Sequence, residues 1–248
     1  MRLDVLLGEA LPTPADVAGR AVVVIDVLRA STVMVEALAQ GARAVVPFAE
    51  VDDVVTAAKR YGRDEVRLAG ERRSRAIAGF DAGNSPREMT AELVAGRTLL
   101  MTTTNGTNAL VATHGAWRTW VGAFTNLSVT ARAVIAALDE GRDATLVCSG
   151  QERRFALEDA VCAGAIAREI LAARPDITVG DAARVAERLA ASYDGDLACI
   201  AQDAAHARTL VAEGFGEDIA FCLTRDRTPV RALYADRQVT GERVVDPT

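Results

Sequence analysis

Histidine, lysine and cysteine are scarce in this chain, and each scarcity closes off a chemistry. Only His114 and His206 are present, so zinc sites built on paired histidines, such as HExxH, are absent. The one lysine, Lys59, lies in a polar stretch, which removes the Walker P-loop and argues against a Schiff-base lysine. Cys148, Cys162, Cys199 and Cys222 show no CxxC spacing. Set among apolar neighbours, all four are expected to be buried thiols rather than disulfides. Long apolar runs are also missing, for nothing approaches the ~20 uncharged residues of a membrane helix. Met1-Arg2-Leu3-Asp4 places an acid where a signal peptide carries its apolar segment. An excess of basic charge is lacking as well. The net charge is −6, which speaks against a nucleic-acid surface. The expectation is a cytoplasmic protein with neither a membrane nor a nucleic-acid partner, its oligomeric state open and a homo-oligomer included.

What is present is a globular composition. The 248 residues are 50% hydrophobic and 25% charged, enough for a sizeable core and unlike a disordered chain. Up to Gly150, β-branched runs alternate with amphipathic segments. Strands are expected at Ala21–Val27, Ala44–Phe48, Val66–Ala69, Thr98–Thr103, Thr119–Phe124 and Ala144–Cys148, with Leu3–Leu7 as an edge strand. Helices are expected at Ser31–Gln40, Val51–Tyr61 and Leu127–Glu140, each stopped by a glycine (Gly41, Gly62, Gly141). After Gly150, helices are expected at Leu157–Arg174, Asp181–Ser192, Leu197–Glu213 and Glu217–Leu223, then short strands over Val230–Val245. With no Pro/Gly/Ser linker, the chain reads as a single composite α/β domain, a βα-repeat half over 1–150 and a helix-rich half over 151–248. The fold class is three-layer α/β/α with a largely parallel or mixed sheet and a helix-rich C-terminal part.

In an open parallel sheet, ligands bind beyond the carboxyl ends of the strands, where helix N-termini present free N–H groups. Read in order, those ends carry Asp26, Arg29, Ser31 and Thr32. Next come Gly70-Glu71-Arg72 and the turn-rich Gly79-Phe80-Asp81-Ala82-Gly83-Asn84-Ser85-Pro86. Thr104-Asn105-Gly106-Thr107 follow, and then Ser149-Gly150 leading to Glu158 and Asp159. Carboxylates, arginines and hydroxyls are therefore expected along one edge of the sheet.

Each also has a plainer reading. Asp26 closes the apolar run Val22-Val23-Val24-Ile25 and must be paired or solvated there, with Arg29 available as a purely structural partner. Ser31 and Thr32 can be ordinary helix caps, and Asn84-Ser85-Pro86 a cap with proline at the first helical position. Arg72-Arg73-Ser74-Arg75 can be a solvated loop, and Glu158 and Asp159 suit a helix dipole. The threonine-rich Thr102–Thr107, interleaved with Asn105-Gly106, is harder to dismiss as an oxyanion cradle. Several carboxylates without a histidine cluster suit a hard divalent ion, most naturally Mg²⁺. Arginines beside it suit a phosphoryl or sulfonyl group. Together they fit metal-assisted hydrolysis of a small anionic phosphate ester.

Val24-Ile25-Asp26-Val27-Leu28-Arg29-Ala30-Ser31-Thr32, Gly70-Glu71-Arg72, Gly79-Phe80-Asp81 through Pro86, and Thr102 through Thr107 carry a family resemblance. Leu157-Glu158-Asp159 and Cys162-Ala163-Gly164 continue it. In these segments, in this order from about Val5 to Leu233, the chain resembles the 2-phosphosulfolactate phosphatase (ComB) family. The resemblance implies a Mg²⁺-dependent acid phosphatase that converts (2R)-phospho-3-sulfolactate to sulfolactate and phosphate, in coenzyme M biosynthesis. It implies that Asp26 and Glu158, with Asp81 or Asp159, hold Mg²⁺ or activate water. Arg29, Ser31 and Thr32 would hold phosphate, and Arg72, Asn105, Gly106 and Thr107 the sulfonate or carboxylate. Glu71, Asn84, Ser85 and Thr104 complete the substrate-binding candidates. Two stretches depart from the family pattern, Arg73-Ser74-Arg75 in place of a more glycine-rich run and Gln151-Glu152-Arg153-Arg154 in place of a smaller loop. Both would border the site. The preference for arginine over lysine points to a GC-rich bacterial genome.

Two rivals remain at this level. Cys148 and Arg154 have the C-x5-R spacing of cysteine-dependent phosphatases, although Glu152 would then repel the phosphate. A haloacid-dehalogenase mechanism meets Leu28 where that family has its second aspartate. A non-catalytic anion receptor on the same scaffold is the other rival, and it has little use for Asp26, Glu71, Asp81 and Glu158 together.

Overall fold

The computed structural model describes residues 1–243. Eleven strands form one sheet: β1 (Arg2–Leu6), β2 (Ala21–Ile25), β3 (Ala44–Phe48), β4 (Val66–Arg72), β5 (Arg75–Ala76), β6 (Thr98–Thr102), β7 (Arg118–Gly122), β8 (Ala144–Cys148), β9 (Thr178–Val179), β10 (Val230–Ala235) and β11 (Gln238–Arg243). The α-helices are α1 (Pro14–Val17), α2 (Ala30–Ala39), α3 (Val51–Ala58), α4 (Ala91–Val94), α5 (Gly106–Val111), α6 (Leu127–Asp139), α7 (Leu157–Ala173), α8 (Asp181–Ala191), α9 (Ile200–Asp203), α10 (Ala205–Ala212) and α11 (Gly216–Cys222). The sheet is mixed and largely parallel, and helices cover both faces, giving three α/β/α layers.

The alternation of β2 shows how one apolar run serves both layers. Ala21, Val23 and Ile25 pack with Val134 and Leu138 of α6 and Ile166 and Ile170 of α7. Val22 and Val24 face the other way, onto Val33 and Met34 of α2 and Leu110 of α5. Successive side chains of a strand point to opposite faces. A run of small branched residues buried throughout is therefore what a central strand between two helical layers requires.

Sheet order is β5-β4-β6-β3-β11-β10-β7-β2-β8-β1-β9. β7, β2, β8, β1 and β9 form one parallel block, and β3, β6 and β4 another. The hairpin β10–β11 lies between them, antiparallel to β7 on one side and to β3 on the other. The two blocks consequently run in opposite senses. This corrects the expectation that the loops gather because every strand ends at the same edge. Neighbouring strands rotate by about 20–25°, so the steps from β2 to β6 accumulate roughly 100–125° of twist. With that twist, the carboxyl ends of β2 and β6 meet despite the reversal. A Cβ on Gly106, just beyond β6, would lie 2.7 Å from Asp26 Oδ2, just beyond β2.

Other expectations are adjusted. The first strand is not at the edge, because Thr178–Val179 pairs outside it. The expected helix Leu197–Glu213 breaks into a 3₁₀ turn (Leu197–Cys199), α9 and α10, with Ala204 extended between the last two (φ −76°, ψ 127°). No glycine or proline marks the corner. The Ala204 methyl is buried in the core there, and tertiary packing overrides local propensity. Cys199 sits in the 3₁₀ turn capped by Asp196 and is exposed, whereas the other three cysteines are buried as expected. The C-terminal strands form the central hairpin, and residues 244–245 of the expected run lie outside the described residues. Among the described residues, no helix is long and apolar enough to cross a membrane.

Candidate active site

The turn leaving β2 is built around Asp26. Its Oδ1 accepts the Ala30 amide at 3.0 Å, and its own amide donates to Ser31 Oγ at 2.9 Å. Thr32 Oγ1 donates to the Val27 carbonyl at 2.9 Å. The hydroxyls of Ser31 and Thr32 thus shape the turn. Asp159, in the first turn of α7, accepts the Val27 amide at 2.8 Å and the Gly150 amide at 3.1 Å, so it ties the β2 loop to the β8 loop. Gly106 has to lack a side chain, since a Cβ would also stand 2.7 Å from Ala30 Cβ. Its amide bonds to Asp26 instead.

Asp26, Glu158 and Asp159 are all buried, and the charge there is unbalanced. Burial, reinforced by Glu71, pushes Asp26 up to about 6 against the pull of the Ala30 and Gly106 amides and of Arg29. Burial and the Asp26 carboxylate push Glu158 up to about 7. Asp159 is raised by burial and by both neighbours, with its two amide bonds opposing. Glu158 Oε2 is buried without a hydrogen-bond partner. Carboxylates in this state either hold protons or await a cation.

The opposite wall comes from the loop after β6. Glu71 Oε1 accepts both the Thr104 amide (2.8 Å) and the Thr104 hydroxyl (2.9 Å), while its Oε2 accepts the Ser74 amide (2.8 Å). Asn105 Nδ2 donates to Gln151 Oε1 at 3.1 Å, and Asn105 Oδ1 accepts the Glu152 amide at 3.2 Å. Thr104 and Asn105 therefore hold two tight turns, Arg72–Arg75 and Gln151–Arg154, whose tips are left-handed without glycine: φ is 53° and 64° at Arg73 and Ser74, and 51° and 59° at Glu152 and Arg153. These are the two stretches that depart from the family pattern. Arg73, Ser74, Gln151 and Glu152 line a cleft with Asp26, Arg29, Asn84 and Asn105. It is a narrow cleft of about 50 Å³.

Arg29 is the fixed cation of the cleft. Its Nη1 donates to Asp218 Oδ2 at 2.7 Å, its Nη2 to the Ser74 carbonyl at 3.3 Å, and its guanidinium stacks 4.1 Å over Phe215. Asp218 takes the Ser85 hydroxyl on its other oxygen at 2.7 Å. His206 places Nε2 3.1 Å from the Leu28 carbonyl. Because a carbonyl only accepts, that nitrogen carries the proton, and burial holds the ring below the ordinary histidine value. Asp218, Phe215 and His206 come from the helix-rich half and carry no signal in the sequence, since a lone histidine or an acid at a helix start is ordinary.

Of the residues expected at the site, Asp26, Arg29, Glu71, Asn84, Thr104 and Asn105 line the cleft. Glu158 and Asp159 lie close enough to Asp26 to be raised by its charge, Gly106 touches Asp26, and Ser85 is linked to Arg29 through Asp218. Thr107 is buried in a local bond with Thr103. Two are placed elsewhere. Asp81 is exposed and caps the Leu68 amide at 2.8 Å, because its turn runs alongside β4 rather than across the strand ends. Arg72 donates to Thr102 Oγ1 and the Ala49 carbonyl, since as the last residue of β4 it takes the strand's alternation away from the cleft. Cys148 is buried, and burial with Asp159 nearby drives its thiol well above the usual range. A thiolate nucleophile needs the reverse.

Among the described residues, no three His, Cys, Asp or Glu side chains form a ready ligand set. Mg²⁺ does not require one, because it is commonly held by one or two carboxylates with water and substrate phosphate completing its shell. Asp26 and Glu158, all-oxygen, buried and with an orphaned oxygen, fit that pattern.

Fold and site together define a three-layer α/β protein with a small cleft lined by buried carboxylates and a fixed arginine. Comparison with known proteins narrows the class. Residues 8–236 match the family described as 2-phosphosulpholactate phosphatase. The chain is 40% identical over 212 residues, 86% of each chain, to the probable 2-phosphosulfolactate phosphatase of Caldanaerobacter subterraneus subsp. tengcongensis. It is 36% identical over 229 residues, 92% of this chain and 97% of the relative, to that of Symbiobacterium thermophilum. Against that of Clostridium beijerinckii it is 32% identical over 242 residues, 98% and 100%. The chain belongs to the 2-phosphosulfolactate phosphatase family, whose members are phosphoric monoester hydrolases.

Proposed function

We propose that the protein hydrolyses (2R)-phospho-3-sulfolactate to sulfolactate and phosphate in a Mg²⁺-dependent reaction of the coenzyme M type, with Asp26 and Glu158 holding the ion. The observation that carries this is the buried pair Asp26 and Glu158, with one Glu158 oxygen left without a hydrogen bond, beside the buried Arg29. A polar pocket for a neutral ligand has no use for it, and an anion receptor would be weakened by it. When bound, Mg²⁺ supplies Lewis acidity toward the phosphoryl oxygen. Arg29, held rigid by Asp218 and Phe215, donates to the phosphate, and a pre-fixed guanidinium loses little entropy in doing so. Asp159 and Gly106 keep Asp26 in register. Asn84 and Asn105, which line the cleft, supply amide N–H contacts to the rest of the substrate.

The test is phosphate release from a panel of phosphorylated hydroxy acids that includes phosphosulfolactate, with Mg²⁺ and with chelator. Turnover that stops on chelation is expected. Equal rates in both conditions would contradict the metal reading, and no release from any member would contradict the phosphatase.

A further inference from the structure

The cleft contains one guanidinium that the structure leaves uncommitted. Arg29 is engaged by Asp218, by the Ser74 carbonyl and by Phe215. Arg72 is engaged by Thr102 and by the carbonyls of Ala49 and Glu71. Arg73 lines the cleft, yet its side chain has no hydrogen-bond or ion-pair partner among the described residues. Arg73 is exposed at the mouth of the cleft, so its guanidinium is solvated and free to turn toward an anion that enters.

Its mounting is firm. The turn that carries it is closed by β4–β5 pairing, Glu71 with Ala76 and Arg72 with Arg75. It is anchored to the catalytic side by the Ser74 amide on Glu71 Oε2 and the Ser74 carbonyl on Arg29 Nη2. Arg73 itself adopts φ 53°, a conformation that glycine or asparagine would take at less cost. The left-handed φ is what a two-residue hairpin turn requires, and it sets the side chain at the tip of the turn.

We infer that Arg73 is a specificity-determining residue that binds the substrate's second acid group, the carboxylate or sulfonate left behind after phosphate departs. This inference rests on the phosphatase reading above, in which the substrate carries acid groups besides its phosphate. Arg29 and Arg73 divide the work: the guanidinium with a fixed counter-ion faces the phosphoryl group, and the one without faces the leaving part. A planar guanidinium meets a carboxylate or sulfonate in a two-pronged hydrogen bond, which a lysine would not reproduce.

The experiment compares wild type, Arg73→Ala and, as a control at the base of the same turn, Arg75→Ala. Calorimetric binding of 3-sulfolactate and of inorganic phosphate is measured in the presence of Mg²⁺. KM is measured for phosphosulfolactate and for isopropyl phosphate, which has no second acid. R73A is expected to weaken 3-sulfolactate and to raise KM for phosphosulfolactate by about tenfold or more, the scale of a charge-assisted bond. Its effect on inorganic phosphate and isopropyl phosphate should stay under about twofold, and R75A should change nothing. Equal losses on both classes of ligand, or none on 3-sulfolactate, would overturn the assignment. Absence of turnover by the wild type with both esters would count against the phosphatase reading alone, since Arg73 is judged independently by 3-sulfolactate binding.

Discussion

Glu158→Gln should stabilise the metal-free protein at neutral pH, although it removes a residue of the site. The Glu158 carboxyl rises from an ordinary 4.5 to about 7 on folding, chiefly through burial. The folded state therefore holds this proton more tightly than the unfolded chain does. The stability tied to it is fully present below about pH 4.5 and is lost progressively as pH rises through about 7. Each unit of pH in that window removes about 1.4 kcal/mol, so the whole interval amounts to about 3 kcal/mol. Asp26 follows the same sign over a lower window, from 3.8 to about 6. Urea unfolding in chelator, repeated from acid to neutral pH, measures the effect directly. Wild type should lose stability between about pH 4.5 and 7 relative to E158Q, the two curves should converge at acid pH, and Mg²⁺ should restore the wild type alone. Parallel curves across that range would refute the claim that the carboxyl is buried without a counter-charge.

Other consequences follow from single contacts. Gly106→Ala sets a methyl against Asp26 and Ala30. It should destabilise by about 1–3 kcal/mol, as overpacking does, and should sharply reduce phosphate release, measured beside a thermal melt. Asp218→Ala leaves Arg29 buried without its partner, since their side chains are 2% and 4% exposed. Breaking such a pair costs about 3–5 kcal/mol, and phosphate affinity should fall with it in calorimetry. Cys148→Ser should retain turnover, because the thiol is buried and held protonated. Loss of activity with an intact fold would revive the thiolate mechanism.

The strands and helices were legible wherever apolar runs were long and bounded by glycine. Asp26, Glu158, Asn105 and Gly106 were legible because an acid or a small polar run after a strand in a βα pattern has few other uses. The opposed sense of the two parallel blocks was not, because each βα unit is locally parallel and only the late hairpin β10–β11, inserted at the centre, reverses the order. Arg72 and Arg73 differ by one position, and at the end of a strand one position exchanges the faces of the sheet. That parity depends on where β4 stops, which the sequence pattern placed at Ala69 and the structure places at Arg72. Asp218, Phe215 and His206 reach the cleft across more than a hundred residues of chain, a proximity that no local pattern encodes.

Asp26 and Glu158 are proposed to hold a divalent cation together. Calorimetric titration of the metal-free protein with Mg²⁺ in two buffers of different ionisation enthalpy tests it most directly, because the difference in heat counts protons. Saturable binding accompanied by proton release slightly below neutral pH is expected, with both signals lost in the Asp26→Asn, Glu158→Gln double variant. Binding that is absent from the wild type, that releases no proton, or that survives in the double variant would contradict it.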